Sequence, residues 1–104
     1  MATQKFYITQ LIYINAGQED VFDQFESIAI PMIAKYNGCL LMRVRPTAQA
    51  YLEINMEKPY EIHLVEFESE NDFEAFMKDE ERKRFLHLKE KSISAVWLIK
   101  GVRL

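Results

Sequence analysis

The stretch that decides the fold is Cys39–Arg45, CLLMRVR, because it is apolar on both faces a strand would present. Leu40, Met42 and Val44 alternate with Cys39 and Leu41. Two later stretches repeat the pattern. Ile62 and Leu64 alternate with His63, Val65 and Phe67, and Val96 and Leu98 alternate with Ala95, Trp97 and Ile99. Side chains of a strand point to opposite faces in turn, so apolar residues on both sides require cover on both sides.

Working outward, Phe6–Ile14 is rich in β-branched and aromatic residues and reads as another strand, ended by Asn15-Ala16-Gly17. Its two alternation classes are both mostly apolar, so the pattern leaves open which one meets the helices. Residues 18–36 read as a helix, with Phe22, Phe25, Ala29, Met32, Ile33 and Tyr36 on one stripe. Glu19 and Asp20 suit the positive end of its dipole. Asn37-Gly38 closes it, with Gly38 expected as a left-handed cap. Pro31 is expected to kink or split the helix near Ile30, because it removes a backbone donor. Residues 47–59 read either as a short edge strand around Tyr51–Ile54 or as an ordered loop.

Residues 60–67 form the third predicted strand. Ser69 with Asp72 resembles a capping box, and Phe73, Phe76 and Met77 follow as an apolar stripe. A further helix is expected from Asp79 to about Glu90, supported by Asp79–Lys83 and Glu80–Arg84 pairs and burying Phe85 with Leu88. The last strand is expected over residues 95–102. The order is β-α-β, a linker, then β-α-β, a split βαβ. Right-handed crossovers put the helices on one face of a four-stranded antiparallel sheet. The other face, still apolar, is expected to pair with a second copy of the chain.

The chain has 104 residues, enough for one domain with one core, here taken as residues 1–104. It is 49% hydrophobic and 28% charged, which suits a folded globule and not a disordered chain. A net charge of -3 without a basic stripe argues against nucleic acid or an anionic membrane as partner. The lone Cys39 cannot form an internal disulfide, and it reads as a small buried hydrophobe. No signal-peptide core and no membrane-length apolar run is present, so a cytoplasmic location is expected.

The string Ile28–Arg45, IAIPMIAKYNGCLLMRVR, carries a resemblance. With Pro59 before the third strand, Glu66-Phe67 at its end and Lys100-Gly101-Val102 in the last strand, it resembles a family of small bacterial proteins of unknown function. That family is similar to the dimeric α/β-barrel superfamily. Its members include cofactor-independent antibiotic-biosynthesis monooxygenases, muconolactone isomerase and ether-degradation-associated small proteins. The resemblance implies an α+β, ferredoxin-like βαββαβ chain whose sheet packs face to face with that of a second protomer. It also implies a cavity that binds small organic molecules, inside the barrel or between sheet and helices. It implies no particular reaction, because one fold hosts many. The linker 47–59 is longer than is usual for the family.

No catalytic motif stands alone. Arg43, His63 and Trp97 share an alternation class with Leu41, Val65 and Ile99. Placed on the helix-free face, they would bind an anionic or phenolic ligand, and His63 would act as a base near neutral pH. The plainer alternative makes His63 a hydrogen-bonded structural residue, pairs Arg43 with Glu61 or a partner carboxylate, and gives Trp97 to packing. Tyr7, Gln10 and Tyr13 would add polar groups to such a cavity, or the tyrosines would reach solvent. His87 reads as part of a charged surface with Arg84 and Lys91. No metal-ligand spacing, paired carboxylates or phosphate-binding loop is read, and no cofactor is expected.

Three functions follow. The first is a homodimer holding a small aromatic or acidic molecule in an apolar cavity. The second is a cofactor-independent monooxygenase or isomerase, with His63 as base and Arg43 or a tyrosine as anion stabiliser. The third is a structural dimer with no ligand.

Overall fold

A computed structural model of the chain describes residues 4–104. Strands β1 (Phe6–Ile14), β2 (Gly38–Val44), β3 (Glu61–Phe67) and β4 (Ile93–Gly101) form one sheet in the order β2-β3-β1-β4, with every neighbouring pair antiparallel. The ferredoxin-like arrangement follows from the two right-handed crossovers, which set β1 and β3 side by side in the centre. Helix α1 (Glu19–Ile33) and the second-half helices α2 (Glu70–Met77), α3 (Glu80–Arg84) and α4 (Leu86–Ser92) cover one face.

The faces sort by register. Ile12 lies opposite Glu61 and Val96, and Gln10 opposite His63 and Leu98. Ile8 pairs with Val65, and Phe6 with Phe67. The core is built from this class: Phe6, Ile8, Val65 and Phe67 pack with Met32, Ile33, Phe73 and Phe76. The ambiguity of β1 is thereby resolved, with Phe6, Ile8, Gln10 and Ile12 turned toward the helices.

A β-bulge corrects the reading of β2. Leu40 pairs with Val65, but the next pairing is Met42 with Leu64, so Leu41 is the extra residue. A bulge reverses the alternation beyond it. Leu40 therefore faces the helices, while Met42 and Val44 do not, and Arg43 returns to the helix side opposite His63. The result on the helix-free face is two rows across the sheet. One is Val44, Ile62, Leu11 and Trp97; the next is Met42, Leu64, Thr9 and Ile99.

Several local expectations also change. Helix α1 runs through Pro31 to Ile33 and then tightens into a 3-10 turn over Ala34–Tyr36. Pro31 removes the donor that would meet the Ser27 carbonyl, but it lies in the last turn with little helix beyond it to break off, and the helix is not split. The left-handed residue is Asn37 (φ 58°), not Gly38. Gly38 is instead needed for close approach: a Cβ there would lie 2.6 Å from Ile33 Cγ2 and 2.7 Å from Phe67 Cε1. The expected helix after Asp79 is two helices broken at Phe85. Asp79 caps the first by accepting from the Arg82 N–H at 2.9 Å and also bonds the Tyr36 hydroxyl, so it is not the partner of Lys83. Lys83 lies 3.4 Å from Glu80 instead. Ser69 does cap α2, accepting from the Asp72 N–H at 3.1 Å.

The segment 47–59 is an ordered loop with one 3-10 turn, Ala48–Ala50, and no strand. It is tied to the sheet end where Tyr13 Oη donates to the Glu57 carbonyl at 2.7 Å. The Tyr60 N–H donates to the Ile12 carbonyl at 2.8 Å in the same region. Tyr13 is accordingly buried and not at solvent. Cys39 is exposed, against expectation, because it falls on the helix-free side of the edge strand β2. Among the described residues no helix is long and apolar enough to cross a membrane.

Candidate functional site

Between the sheet and the helices lies a cavity of about 140 Å³. An apolar cavity of about 150 Å³ takes up benzene, so the space is ring-sized. Its walls are Ile8, Phe25, Phe67, Phe73 and Phe76, among other apolar side chains. Five polar residues interrupt them: Gln10, Glu26, His63, Arg82 and Lys89.

The polar end is built from β3. Glu61 and His63 are two residues apart, so both point toward the helices. Glu61 has no solvent exposure. Its carboxylate accepts from Arg43 Nε and Arg45 Nε, each at 2.8 Å, and is hydrogen-bonded to His63 Nε2. Burial pushes the Glu61 carboxyl up, but the hydrogen bonds from His63, Arg43 and Arg45 outweigh it and hold it down at about 2. Glu61 is thus an ionised anchor that fixes the imidazole of His63 on the cavity wall. Arg45 extends the network to Asp23 at 2.9 Å and stacks over Tyr60 at 4.8 Å.

Glu26 reaches the same place from α1. Ligand atoms of Glu26, Glu61 and His63 all lie within 4.8 Å of one another. Burial raises the Glu26 carboxyl above its ordinary value, against a weaker opposing pull from His63. The trio has the composition of a cation site, but two guanidiniums already occupy both Glu61 oxygens and would repel a metal ion. Glu61 is satisfied by Arg43, Arg45 and His63.

Arg82 and Lys89, from α3 and α4, line the same cavity as Glu26. Burial pushes both cations down, that is, toward their neutral forms. Arg82 is the one residue of α3 that turns inward, with its guanidinium 5.2 Å from the Phe76 ring centroid.

The six residues singled out from sequence divide. His63 and Gln10 line the cavity together, as opposed partners in the β1–β3 ladder. Arg43 lies on the same side but pairs with Glu61 and does not line the cavity, which matches the plainer reading of that residue. Tyr7, Tyr13 and Trp97 belong to the opposite face, so the expected cluster of Arg43, His63 and Trp97 does not form. Tyr7 Oη donates to Glu66 at 3.0 Å. The reason is phase: His63 aligns with Gln10 and Leu98, which leaves Trp97 facing away.

Glu26, Arg82 and Lys89 were not anticipated. Glu26 had a readable signal, since it sits four residues after Phe22 and three before Ala29, inside the apolar stripe of α1. Arg82 had none, being one base among several in Arg82-Lys83-Arg84. The paired carboxylates Glu26 and Glu61 come from elements far apart in the chain and leave no local pattern.

No protein-family model matches the chain, and no curated protein matches it. Solved structures do. A protein of unknown function from Rhodopseudomonas palustris superposes with a TM-score of 0.84 at 11% identity, covering 97% of this chain and 83% of that one. A dabb family protein with a ferredoxin-like fold from Mesorhizobium loti gives 0.70 at 11% identity, covering 98% and 99%. A dimeric protein of unknown function and ferredoxin-like fold from Bacteroides fragilis gives 0.64 at 13% identity, covering 95% and 96%. At these identities the likeness is one of fold: this chain is similar to bacterial ferredoxin-like proteins of unknown function.

Proposed function

We propose that the chain is a homodimer that binds a small aromatic or acidic organic molecule in the cavity between its sheet and helices. The observation that carries this reading is the ring-sized apolar cavity with Gln10, Glu26 and His63 on its wall. Pockets of this make-up, mostly apolar with a few convergent polar groups, are the usual form of small-molecule sites. The dimer reading is supported by the two apolar rows on the helix-free face, where Trp97 is 59% and Ile99 54% exposed in the single chain. Apolar exposure on that scale marks an interface, and a second copy offers a self-complementary sheet. Sheets packed this way interleave side chains across about 10 Å.

A thermal-shift screen of small aromatic and carboxylic compounds tests the ligand. A compound at about 100 times its Kd stabilises by ~2.7 kcal/mol, a shift of several degrees in a domain of this size. A screen in which no compound moves the transition leaves only a dimer without a ligand.

One observation favours a second reading, proton transfer catalysis. His63 is held by an ionised carboxylate at the cavity wall, the arrangement that orients an imidazole as a base. In a cofactor-independent monooxygenase or isomerase, His63 would take the proton from a phenol or an activated C–H, with Glu61 and Arg43 as positioning residues. Oxygen uptake with hydroquinones, compared between the wild type and His63→Ala, tests it. Equal turnover removes His63 from the mechanism.

A further inference from the structure

Inside the cavity one strong donor lacks a partner. Arg82 is 7% exposed, and its Nε is buried with no hydrogen-bond partner among the described residues. A guanidinium nitrogen buried without an acceptor is costly. The acids near it do not serve. Asp79 is engaged by the Tyr36 hydroxyl and the Arg82 N–H, and Glu26 makes no ion pair with Arg82 within 4.0 Å among the described residues. Lys89 lines the same cavity, so two cations converge where the helix side closes over the sheet. The Glu61 charge does not compensate them, because Arg43 and Arg45 already neutralise it. The rest of the wall is aromatic, from Phe67, Phe73 and Phe76.

We propose that the cavity takes an aromatic monocarboxylate, its carboxylate received by Arg82 and Lys89 and its ring against the phenylalanine wall. This rests on the ligand-binding reading above and narrows it to one chemical class. A planar carboxylate can accept from a guanidinium fork, and an exchange of water for that acceptor satisfies the stranded donor. The volume suits a one-ring acid. In this pose the polar end formed by Glu26 and His63 meets the ring or its substituent. Burial favours the neutral form of Glu26, which lessens its repulsion of the anion.

The test is a matched pair on the intact protein: benzoate and its neutral isostere benzamide, each titrated by calorimetry at neutral pH. Benzoate is expected to bind at least ten-fold more tightly. In Arg82→Gln that preference is expected to collapse to within about two-fold while benzamide affinity is retained. Equal affinity of the wild type for the two compounds overturns the carboxylate assignment and leaves the cavity reading standing. A benzoate preference that survives in Arg82→Gln places the anion elsewhere and also overturns it. Binding of neither compound removes the assignment, and if the wider screen is silent too, the cavity reading falls with it. Should Arg82→Gln fail to fold, Lys89→Gln with the wild-type pair decides: a preference for benzoate reduced at least three-fold supports the proposal, and an unchanged one refutes it.

Discussion

Replacing Glu61 with Gln removes a charge from a side chain with no solvent exposure. Three donors, from Arg43, Arg45 and His63, then compete for one amide oxygen, and the new amide N–H₂ faces other donors. Breaking a buried ion pair by removing one partner costs about 3–5 kcal/mol. The two arginines are 34% and 46% exposed and can turn into water, which sets the expectation at the lower end. A second route gives the same size. Lowering the carboxyl from 4.5 to about 2 on folding corresponds to about 3 kcal/mol at neutral pH, at ~1.36 kcal/mol per tenfold change in acidity. In a domain of about 100 residues each kcal/mol moves the Tm by roughly 4–8 °C. Glu61→Gln should therefore melt about 12–24 °C below the wild type at pH 7, measured by circular dichroism. Arg43→Met with Arg45→Met in the Glu61→Gln background should recover part of the loss, since stranded donors are removed with their acceptor. A fall in Tm under about 4 °C for Glu61→Gln would refute the view that this carboxylate anchors the site.

The same group sets an acid limit. Its folded-state value lies below the unfolded one, so its stabilisation is complete above pH ~4.5 and is lost as the pH falls toward 2. The urea midpoint of the wild type should drop across that window, and Glu61→Gln should show a shallower drop; parallel curves would assign acid lability to other carboxylates. Gly38→Ala places a methyl 2.6 Å from Ile33 Cγ2 and 2.9 Å from the Ile33 carbonyl oxygen, which belongs to the backbone. The crowding should cost about 1–3 kcal/mol, read as a lower urea midpoint at unchanged slope. Trp97→Glu with Ile99→Glu should turn the proposed dimer into a monomer on light scattering at micromolar concentration while the far-ultraviolet spectrum is kept. A variant that still sizes as a dimer would move the interface off the helix-free face.

The amino-acid sequence by itself determined the element order, the antiparallel four-stranded sheet, the one-sided helices and the apolar surplus on the second face. Each is a local pattern: β-branched runs, a helical stripe, a capped turn, and crossovers of fixed hand. Alternation supplies a period and not a phase, and phase is where tertiary structure decided. The bulge at Leu41 reversed the faces of β2, so Arg43 joined His63 on the helix side while Met42 and Val44 joined the open rows. Register with β1 and β3 put Trp97 away from His63. The site itself was assembled from α1, β3, α3 and α4, and only packing could bring Glu26, His63, Arg82 and Lys89 to one cavity. A charge near another in space need not be near it in sequence, which is why one arginine of a basic run stayed silent until the chain was folded, and why a carboxylate in a helical stripe signals its burial but not its neighbours.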